Sequence, residues 1–220
     1  MRKKIEILSA CPLFSGIKSE DMEALLHCMN PQFKNFTKGS YLKTAGDPCD
    51  FIGVVLEGNL HIIRDDYYGN RSITASLGKG EMFAEAFACA GIDKLPIDIY
   101  APSDVSVMLL DKYRLLHQCQ DACPFHNLII QNLLQIVAMK NIMLTQKLRY
   151  VSHKTIRDKL LAYLNDQAKL YQSSSFTIPF DRQSLADYLG VDRSAMSNEL
   201  SKMQKEGLLI TNRSAFQLLK

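Results

Sequence analysis

The sequence has few residues of the kinds that build metal centres. It contains five histidines, and none of them falls in an H-x-H or H-E-x-x-H pattern. Its six cysteines include no C-x2-C pair of the sort that binds iron–sulfur clusters. Nucleophile-elbow and phosphate-loop motifs are also absent from the sequence. These absences disfavour an enzyme, and we expect neither a metal ion nor a cofactor.

The sequence also lacks the marks of a membrane or secreted protein. No apolar run reaches the length of a membrane span. Glu6 and Pro12 interrupt the short apolar stretch behind the basic residues 2–4, so no signal peptide is predicted. We therefore expect a cytoplasmic protein without a membrane partner, whose cysteines are reduced.

Positive charge is unevenly distributed along the 220 residues. Residues 1–145 hold 14 Lys and Arg against 16 Asp and Glu, a net charge of −2. Residues 146–220 hold 12 against 7, a net charge of +5. A local positive excess attracts a phosphate backbone, so the C-terminal third is the candidate region for nucleic-acid binding.

Residues 33–110 are cut by glycines at nearly regular intervals, with short apolar runs between them. Many short strands with frequent turns predict an antiparallel sandwich or barrel. The predicted strands are residues 51–55, 60–63, 72–77, 97–100 and 105–110. Residues 5–30, which precede them, predict one or two short helices beginning near Lys18.

A long helix is predicted over residues 124–150, and its apolar residues repeat with heptad spacing. The favoured seam is Ile130, Leu134, Val137, Asn141, Leu144 and Leu148. A competing seam, at positions 129, 133, 136, 140, 143 and 147, would place Lys140 and Lys147 inside the interface. We expect the favoured seam to pair with a second copy of the chain, with Asn141 fixing the register. The alternative is a helix buried against its own sheet.

Residues 181–207 predict two short helices joined by a tight turn. Gly190 suits the left-handed conformation that such a turn requires. Asp192 is placed to cap the second helix, whose buried face would carry Met196, Leu200 and Met203. Upstream, Ser152 is expected to cap another helix and residues 176–180 to form a short strand. Residues 208–210 and 216–218 flank a polar turn and predict a small hairpin.

This order of elements resembles the CRP/FNR family of bacterial transcription regulators over essentially the whole chain. The motifs that carry the resemblance are Lys38–Gly39, Gly46–Asp47, residues 56–58 (LEG), residues 77–83 (LGKGEMF), residues 103–105 (SDV) and residues 181–186 (DRQSLA). The resemblance implies an α+β fold with an N-terminal antiparallel β-roll of the jelly-roll type. It divides the chain into a sensor domain (1–123), a dimerisation helix (124–150) and a winged helix-turn-helix domain (151–220).

The resemblance implies a dimer that binds a palindromic operator in double-stranded DNA, with RNA polymerase as a further candidate partner. A signal in the roll would reorient the paired recognition helices through a hinge near residues 150–152. The positions that would read bases are Arg193, Ser194 and Asn198. The positions that would contact phosphates are Arg182, Ser197, Lys202 and Arg213. Glu199 departs from the family, in which this position is usually apolar. Either the core stripe is thinner here or Glu199 pairs with a cation.

The cyclic AMP cassette of the family is incomplete in this chain. Ala84 stands where the family has Gly, and Leu95–Pro96 stand where it has an Arg–Ser or Arg–Thr pair for the phosphate, so cyclic AMP is not expected to bind tightly. An unidentified effector is expected instead, in an apolar pocket. The candidate lining is Met82, Phe83, Glu85, Phe87, Ile97, Ile99 and Asn141. The alternative is that these side chains simply fill the roll.

Two other functions remain open. A redox- or metal-responsive regulator would use cysteines, and Cys119 and Cys123, four residues apart, are the candidate pair. Cys11, Cys28 and Cys49 are too widely spaced to match the cluster-binding relatives. A cupin-like metalloenzyme would need clustered histidines, but the predicted strands contain one, His61.

Overall fold

The structure is a computed structural model that describes residues 2–65, 71–116 and 124–219. The chain forms two compact units, Met1–Ala138 and Met139–Lys220, and the division falls inside the long helix. Cys119 and Cys123, the candidate redox pair, lie outside the described residues. The division into segments 1–123, 124–150 and 151–220 stays a prediction.

The first unit contains two four-stranded antiparallel sheets, in the orders β1-β8-β3-β6 and β2-β7-β4-β5. The predicted antiparallel β-domain is thus confirmed. Its strands are β1 (Gln32–Phe36), β2 (Tyr41–Lys43), β3 (Phe51–Glu57), β4 (Leu60–Asp65), β5 (Arg71–Leu77), β6 (Met82–Phe83), β7 (Asp98–Tyr100) and β8 (Val105–Asp111). Its helices are α1 (Arg2–Ser9), α2 (Ser19–Met29), α3 (Glu85–Cys89) and α4 (Lys112–Leu116), with a 3-10 turn at Pro12–Phe14.

Strand β3 forms the centre of this core. Every residue of β3 before Glu57 is buried, because the strand pairs with β8 on one side and β6 on the other. A continuous apolar run of this kind is typical of a strand covered on both faces. The side chains of α1 and α2, among them Leu8 and Leu25, complete the core of the first unit.

The long helix α5 (Pro124–Val151) has two apolar faces. Ile129 and Leu133, from the seam that sequence reasoning set aside, are buried in the core of the first unit. Asn132 is also buried, and its Nδ2 donates hydrogen bonds to the carbonyls of Leu13 and Ser15, each at 2.9 Å. The first half of α5 therefore packs into the core of the first unit through the competing seam, which the sequence had disfavoured.

The favoured seam lies on the other face of α5 and is largely exposed. Leu134, Leu144 and Leu148 are 69%, 60% and 57% exposed, and Asn141 is exposed as well. Ile130 and Val137 are half-buried. Three apolar side chains that do not belong to this seam are also exposed: Met139, Ile142 and Met143. Pairing of two helices along the seam would not cover them.

By length and composition alone, Phe125–Val151 is apolar enough to cross a membrane, which the expectation of no membrane-length run did not foresee. Only 17% of its most apolar window is buried within the chain. One helix of this kind is weak support for a membrane protein. A helix that packs against a second copy of itself has the same composition.

The second unit contains the end of α5, three helices and a three-stranded antiparallel sheet of order β10-β11-β9. The elements are α6 (Ile156–Tyr171), β9 (Ser175–Thr177), α7 (Arg182–Leu189), α8 (Arg193–Lys205), β10 (Leu209–Asn212) and β11 (Ala215–Leu218). The predicted winged helix-turn-helix is confirmed. Strand β9 ends before Pro179, earlier than expected, since Pro has no N–H to donate to a ladder.

The end of α5 is followed by a helix cap that was predicted at the wrong residue, and it carries a buried tyrosine. Ser152 does not cap the next helix: its hydroxyl donates to the Arg149 carbonyl at 2.8 Å, and Thr155 caps α6 by accepting from the Asp158 N–H at 3.1 Å. Tyr150 is buried against the rings of Tyr163 and Tyr188, with centroids 5.6 and 6.2 Å away. The last turn of α5 therefore packs within the second unit.

Candidate nucleic-acid interface and sensor site

The two helices α7 and α8 are positioned by local caps that the sequence specifies. Asp181 accepts from the Ser184 N–H and Asp192 from the Ala195 N–H, both at 2.7 Å. Gly190 ends α7 in the left-handed conformation, with φ of 61°. Three predicted side chains of α8 are buried and fix its inner face: Met196, Leu200 and Met203. The predicted turn and the predicted Asp192 cap are confirmed, and the Asp181 cap is an addition from the structure.

The opposite face of α8 presents polar side chains to solvent. Arg193, Ser194 and Asn198, the predicted base-reading residues, are all exposed on the first half of the helix. Arg and Asn are the side chains that bond guanine and adenine edges bidentately. Ser194 and Asn198, four residues apart, share one exposed side of α8, and Arg193 is exposed in its first turn.

A groove of about 450 Å³ runs between α8 and the hairpin β10–β11. It brings together two of the predicted phosphate contacts, Arg182 and Ser197. The groove is also lined by Leu200, which was predicted for the buried face of α8. Its other members were not predicted as phosphate contacts, because only the folded hairpin decides which residues face the groove. They are Ser201, Gln204, Lys205 and Thr211. Lys205 adds a second cation, so an anion would meet positive charge from two helices.

Arg182 is held in place by the hairpin. Its Nη2 donates to the Thr211 hydroxyl at 2.7 Å, and its guanidinium lies 5.0 Å from the ring centroid of Phe216. Burial lowers the pKa of Arg182, although a guanidinium stays charged at neutral pH. An Arg fork has five donors, so one bond to Thr211 leaves others for a phosphate.

Arg213 lies at the tip of the hairpin, where β10 turns into β11. Asn212 pairs with Ala215, so Arg213 and Ser214 form a two-residue turn. Arg213 is exposed and has a φ of 49°, in the left-handed region where hairpin turns favour Gly. An Arg retained in such a conformation costs free energy, which points to a use for the side chain.

Replacing Arg213 with Gly is expected to stabilise the second unit while weakening DNA binding. The left-handed conformation is unfavourable for any residue with a side chain. Gly at this position should therefore raise the free energy of unfolding by about 1 kcal/mol. The same change removes one predicted phosphate contact. Urea unfolding and DNA titration of Arg213→Gly and Arg213→Ala would check this. Equal stability of the two variants would contradict the conformational argument.

Glu199 pairs with a cation, which was one of the two alternatives. Arg157, at the start of α6, donates from Nε to Glu199 at 2.6 Å. Its Nη1 and Nη2 donate to the two carboxylate oxygens of Glu206 at 2.8 and 2.9 Å. These bonds raise the pKa of Arg157 and lower that of Glu206. Lys202 lies 3.9 Å from the other Glu199 oxygen.

In the first unit, the altered cassette contains a residue in the left-handed conformation. Ala84 caps α3 in the left-handed conformation, with φ of 64°, which explains why Gly is favoured there. The N–H of Leu95 donates to the Asp47 carbonyl at 2.9 Å, and the Leu95 carbonyl accepts from the Gly46 N–H at 2.8 Å. The Leu95 side chain is buried. Lys94 is the only cation beside this pair and is exposed, while residues 95 and 96 themselves supply neither a cation nor a spare amide to a phosphate.

The candidate effector residues of the roll lie largely inside its core. Phe87 is half-buried, and the buried members are Met82, Phe83, Glu85, Ile97 and Ile99. Asn141 is exposed on α5, and its Oδ1 accepts from the Thr145 hydroxyl at 3.3 Å. These burials match the alternative that the side chains fill the roll. The pocket itself stays a prediction.

Cyclic AMP is expected to show no binding tighter than millimolar, because the phosphate would lose water without gaining a fixed cation. Isothermal titration of the purified protein with cyclic AMP would measure this. The double variant Leu95→Arg with Pro96→Ser is the matched control, because it introduces the Arg–Ser pair that binds the phosphate in the family. Micromolar affinity in the unaltered protein would overturn the prediction.

Three of the four described cysteines are poorly suited to sensing. Burial raises the pKa of the Cys11, Cys49 and Cys89 thiols, and the thiolate is the reactive form. Within residues 2–65, 71–116 and 124–219, no group of three or more His, Cys, Asp or Glu side chains could hold a metal ion. Nothing in this part of the chain therefore favours a metal or redox site.

Comparison with known families finds two domain matches along the chain. The family model described as cyclic nucleotide-binding domain matches residues 33–122, and the Crp-like helix-turn-helix domain matches residues 158–220. The transcriptional activator protein FnrL of Cereibacter sphaeroides is 22% identical over 186 residues, which cover 80% of this chain and 72% of FnrL.

Solved structures share the fold at low identity. The c-di-GMP responsive global regulator CLP of Xanthomonas campestris has a TM-score of 0.55 and 18% identity, covering 92% of this chain and 100% of its own. The catabolite activator protein of Thermus thermophilus has a TM-score of 0.50 and 20% identity, covering 94% and 93%. With both domain matches in this order over more than half of its length, the chain belongs to the CRP/FNR family of DNA-binding transcription regulators and is not an enzyme.

Proposed function

We propose that the chain acts as a homodimer that binds a palindromic operator and responds to a small-molecule effector other than cyclic AMP. The effector would be bound by the β-roll and the long helix. The protein would work in the cytoplasm, with RNA polymerase as a partner where it activates transcription. FnrL is an activator by name, but the direction of regulation here is left to experiment.

The polar face of α8 beside a cationic groove is the observation that carries the DNA-binding proposal. Exposed Arg193, Ser194 and Asn198 would lie along the major groove, where an α-helix fits and reads base edges. Arg182, Ser197, Lys202 and Arg213 would contact phosphates on either side and fix the register without reading sequence. Lys205 joins this second set because it lines the same groove as Arg182.

Dimerisation is supported by the exposed seam of α5. A Leu residue left more than half exposed on a soluble helix contributes to stability only when a partner covers it. Pairing through Leu134, Leu144 and Leu148 would also duplicate the recognition helix. Two copies related by a two-fold axis match half-sites one helical turn apart.

Replacing Arg193 with Ala is expected to weaken binding to the true operator by about 1–3 kcal/mol and to relax specificity at one base pair. Arg213→Ala should weaken operator and random DNA by similar factors, because a phosphate contact carries no sequence information. Fluorescence anisotropy with each duplex at fixed salt would separate the two. Unchanged operator affinity in Arg193→Ala would show that the recognition-helix assignment is wrong.

Selection of bound duplexes from a random DNA pool, with and without cell metabolites, tests the whole proposal. We expect enrichment of an inverted repeat whose half-sites lie about 10 base pairs apart. Enrichment that depends on the metabolites would establish an effector. Failure to enrich any sequence under either condition would contradict sequence-specific binding.

A further inference from the structure

The inner face of the recognition helix consists of one row of buried side chains. Met196, Leu200 and Met203 form a single row along α8, and the flanking position 199 carries a carboxylate instead of an apolar side chain. A helix held along one row of contacts is weakly constrained against rotation about that row. The exposed residues on its other face would move with any such rotation, since they share the same backbone.

Arg157 supplies the constraint that the row lacks. Its guanidinium bridges Glu199 and Glu206, which lie seven residues apart, or two helical turns, on the same side of α8. The contact with Glu206 is bidentate, which fixes direction as well as distance. The Arg157 and Glu199 side chains are only 35% and 18% exposed, so water screens this pair less than a surface pair.

We propose that Arg157 is a positioning residue for DNA recognition: its fork to Glu199 and Glu206 sets the rotation of α8 and so aims the base-reading side chains. This proposal rests on the proposed function, because it assigns a role within DNA binding. Arg157 lies on α6 and points to the inner flank of α8, so it need not touch DNA itself. Its effect reaches bases through Asn198, the neighbour of Glu199, and through Arg193.

The fork also has an electrostatic role. Glu199 and Glu206 are two carboxylates on a helix that must approach phosphates, and their repulsion would oppose binding. Arg157 neutralises part of this charge at hydrogen-bond distance. Lys202, 3.9 Å from Glu199, is then left freer to interact with a phosphate. The two roles make separable predictions, because one depends on geometry and the other on charge.

Arg157→Ala and Arg157→Lys distinguish these roles when each is titrated with the selected operator duplex and with a random-sequence duplex of equal length. In Arg157→Ala we expect the ratio of operator to random affinity to fall about tenfold, the equivalent of one charge-assisted hydrogen bond. Arg157→Lys keeps the charge but loses the bidentate fork. Because the positive charge is kept, Arg157→Lys should bind random DNA more tightly than Arg157→Ala does. Its ratio of operator to random affinity should stay low, because the bidentate contact is lost.

Lys169→Ala is the matched control, since it removes one positive charge from an exposed position of the same helix. It should leave the affinity ratio unchanged. An equal ratio in Arg157→Ala and Lys169→Ala, with both variants folded by circular dichroism, would overturn the proposal. Loss of stability alone does not change the ratio among folded molecules.

A double variant covers the case in which Arg157→Ala fails to fold. Arg157→Leu with Glu199→Leu replaces the half-buried pair by apolar side chains, a change that is often neutral for stability. We expect it to fold, with a ratio still several-fold below the unaltered protein because Glu206 has lost its partner. A fully restored ratio would refute the role of the fork to Glu206. If the unaltered protein bound neither duplex, the proposed function would fail instead.

Discussion

Replacing Leu144 with Glu is expected to convert the proposed dimer to a monomer and to abolish operator binding. Leu144 is 60% exposed in the single chain and lies on the seam with Leu134 and Leu148. In a two-fold dimer the change occurs twice, and each buried Leu contributes about 1.5–3 kcal/mol. Two carboxylates facing each other at the seam add desolvation and repulsion. Dimerisation should weaken by at least about 3–6 kcal/mol.

Sedimentation equilibrium would measure the association constant, and anisotropy the operator affinity. Gln146→Glu is the matched control, because it places the same charge on an exposed position of α5 about half a turn away from Leu144. This control should stay dimeric. If Leu144→Glu remained dimeric with unchanged operator affinity, the seam would lie elsewhere, and exposed Ile142 and Met143 would be the next residues to test.

The local features of the second unit could be predicted from the sequence because their determinants lie close together along the chain. The caps of Asp181 and Asp192 act over three residues, and Gly190 decides its own conformation. Five strands of the first unit followed from apolar runs cut by glycines, whereas the strands β1, β2 and β6 were not predicted. The cap of α6 was misplaced, because Ser152 and Thr155 are both good cap residues and only the end of α5 decides between them.

The contacts that could not be predicted connect distant parts of the chain. Arg157 lies 42 residues before Glu199, and Asn132 lies 119 residues after Leu13. No local pattern marks either pair. The sequence could predict that Glu199 pairs with a cation, but not that this cation is Arg157. The same limit applies to Lys205, which becomes a groove residue only when the hairpin folds against α8.

Helix α5 shows why choosing one of two seams can mislead. Lys140 and Lys147 argued against the seam that contains Ile129 and Leu133, and this reasoning holds for the second half of the helix, where Lys140 is exposed and Lys147 half-buried. The first half has no such charge, so Ile129 and Leu133 pack into the core of the first unit. A helix with two apolar faces can bury one within its own chain and leave the other for a partner.

Replacing Gly53 with Ala is expected to destabilise the first unit by about 2–3 kcal/mol, as overpacking of a core does. Gly53 lies in β3 opposite Phe83, and a Cβ atom there would come within 2.1 Å of the Phe83 ring. The ring is itself buried and contacts Phe51 at a centroid distance of 6.0 Å, so it has little room to move away. The sequence shows a glycine inside a strand, and the structure explains it by the ring that covers it.

Urea unfolding of Gly53→Ala, followed by circular dichroism, would measure this loss. Gly78→Ala is the matched control, because a Cβ at Gly78 meets its nearest neighbour, Asn59, at an ordinary 3.5 Å and the φ there is not positive. Phe83→Leu should recover part of the loss when combined with Gly53→Ala, with a coupling free energy of about 1–2 kcal/mol, since the smaller side chain makes room for the methyl group. Additive effects of the two substitutions would show that the ring is not what excludes a side chain at position 53, and strain in the β3–β6 pairing would then have to be the cause.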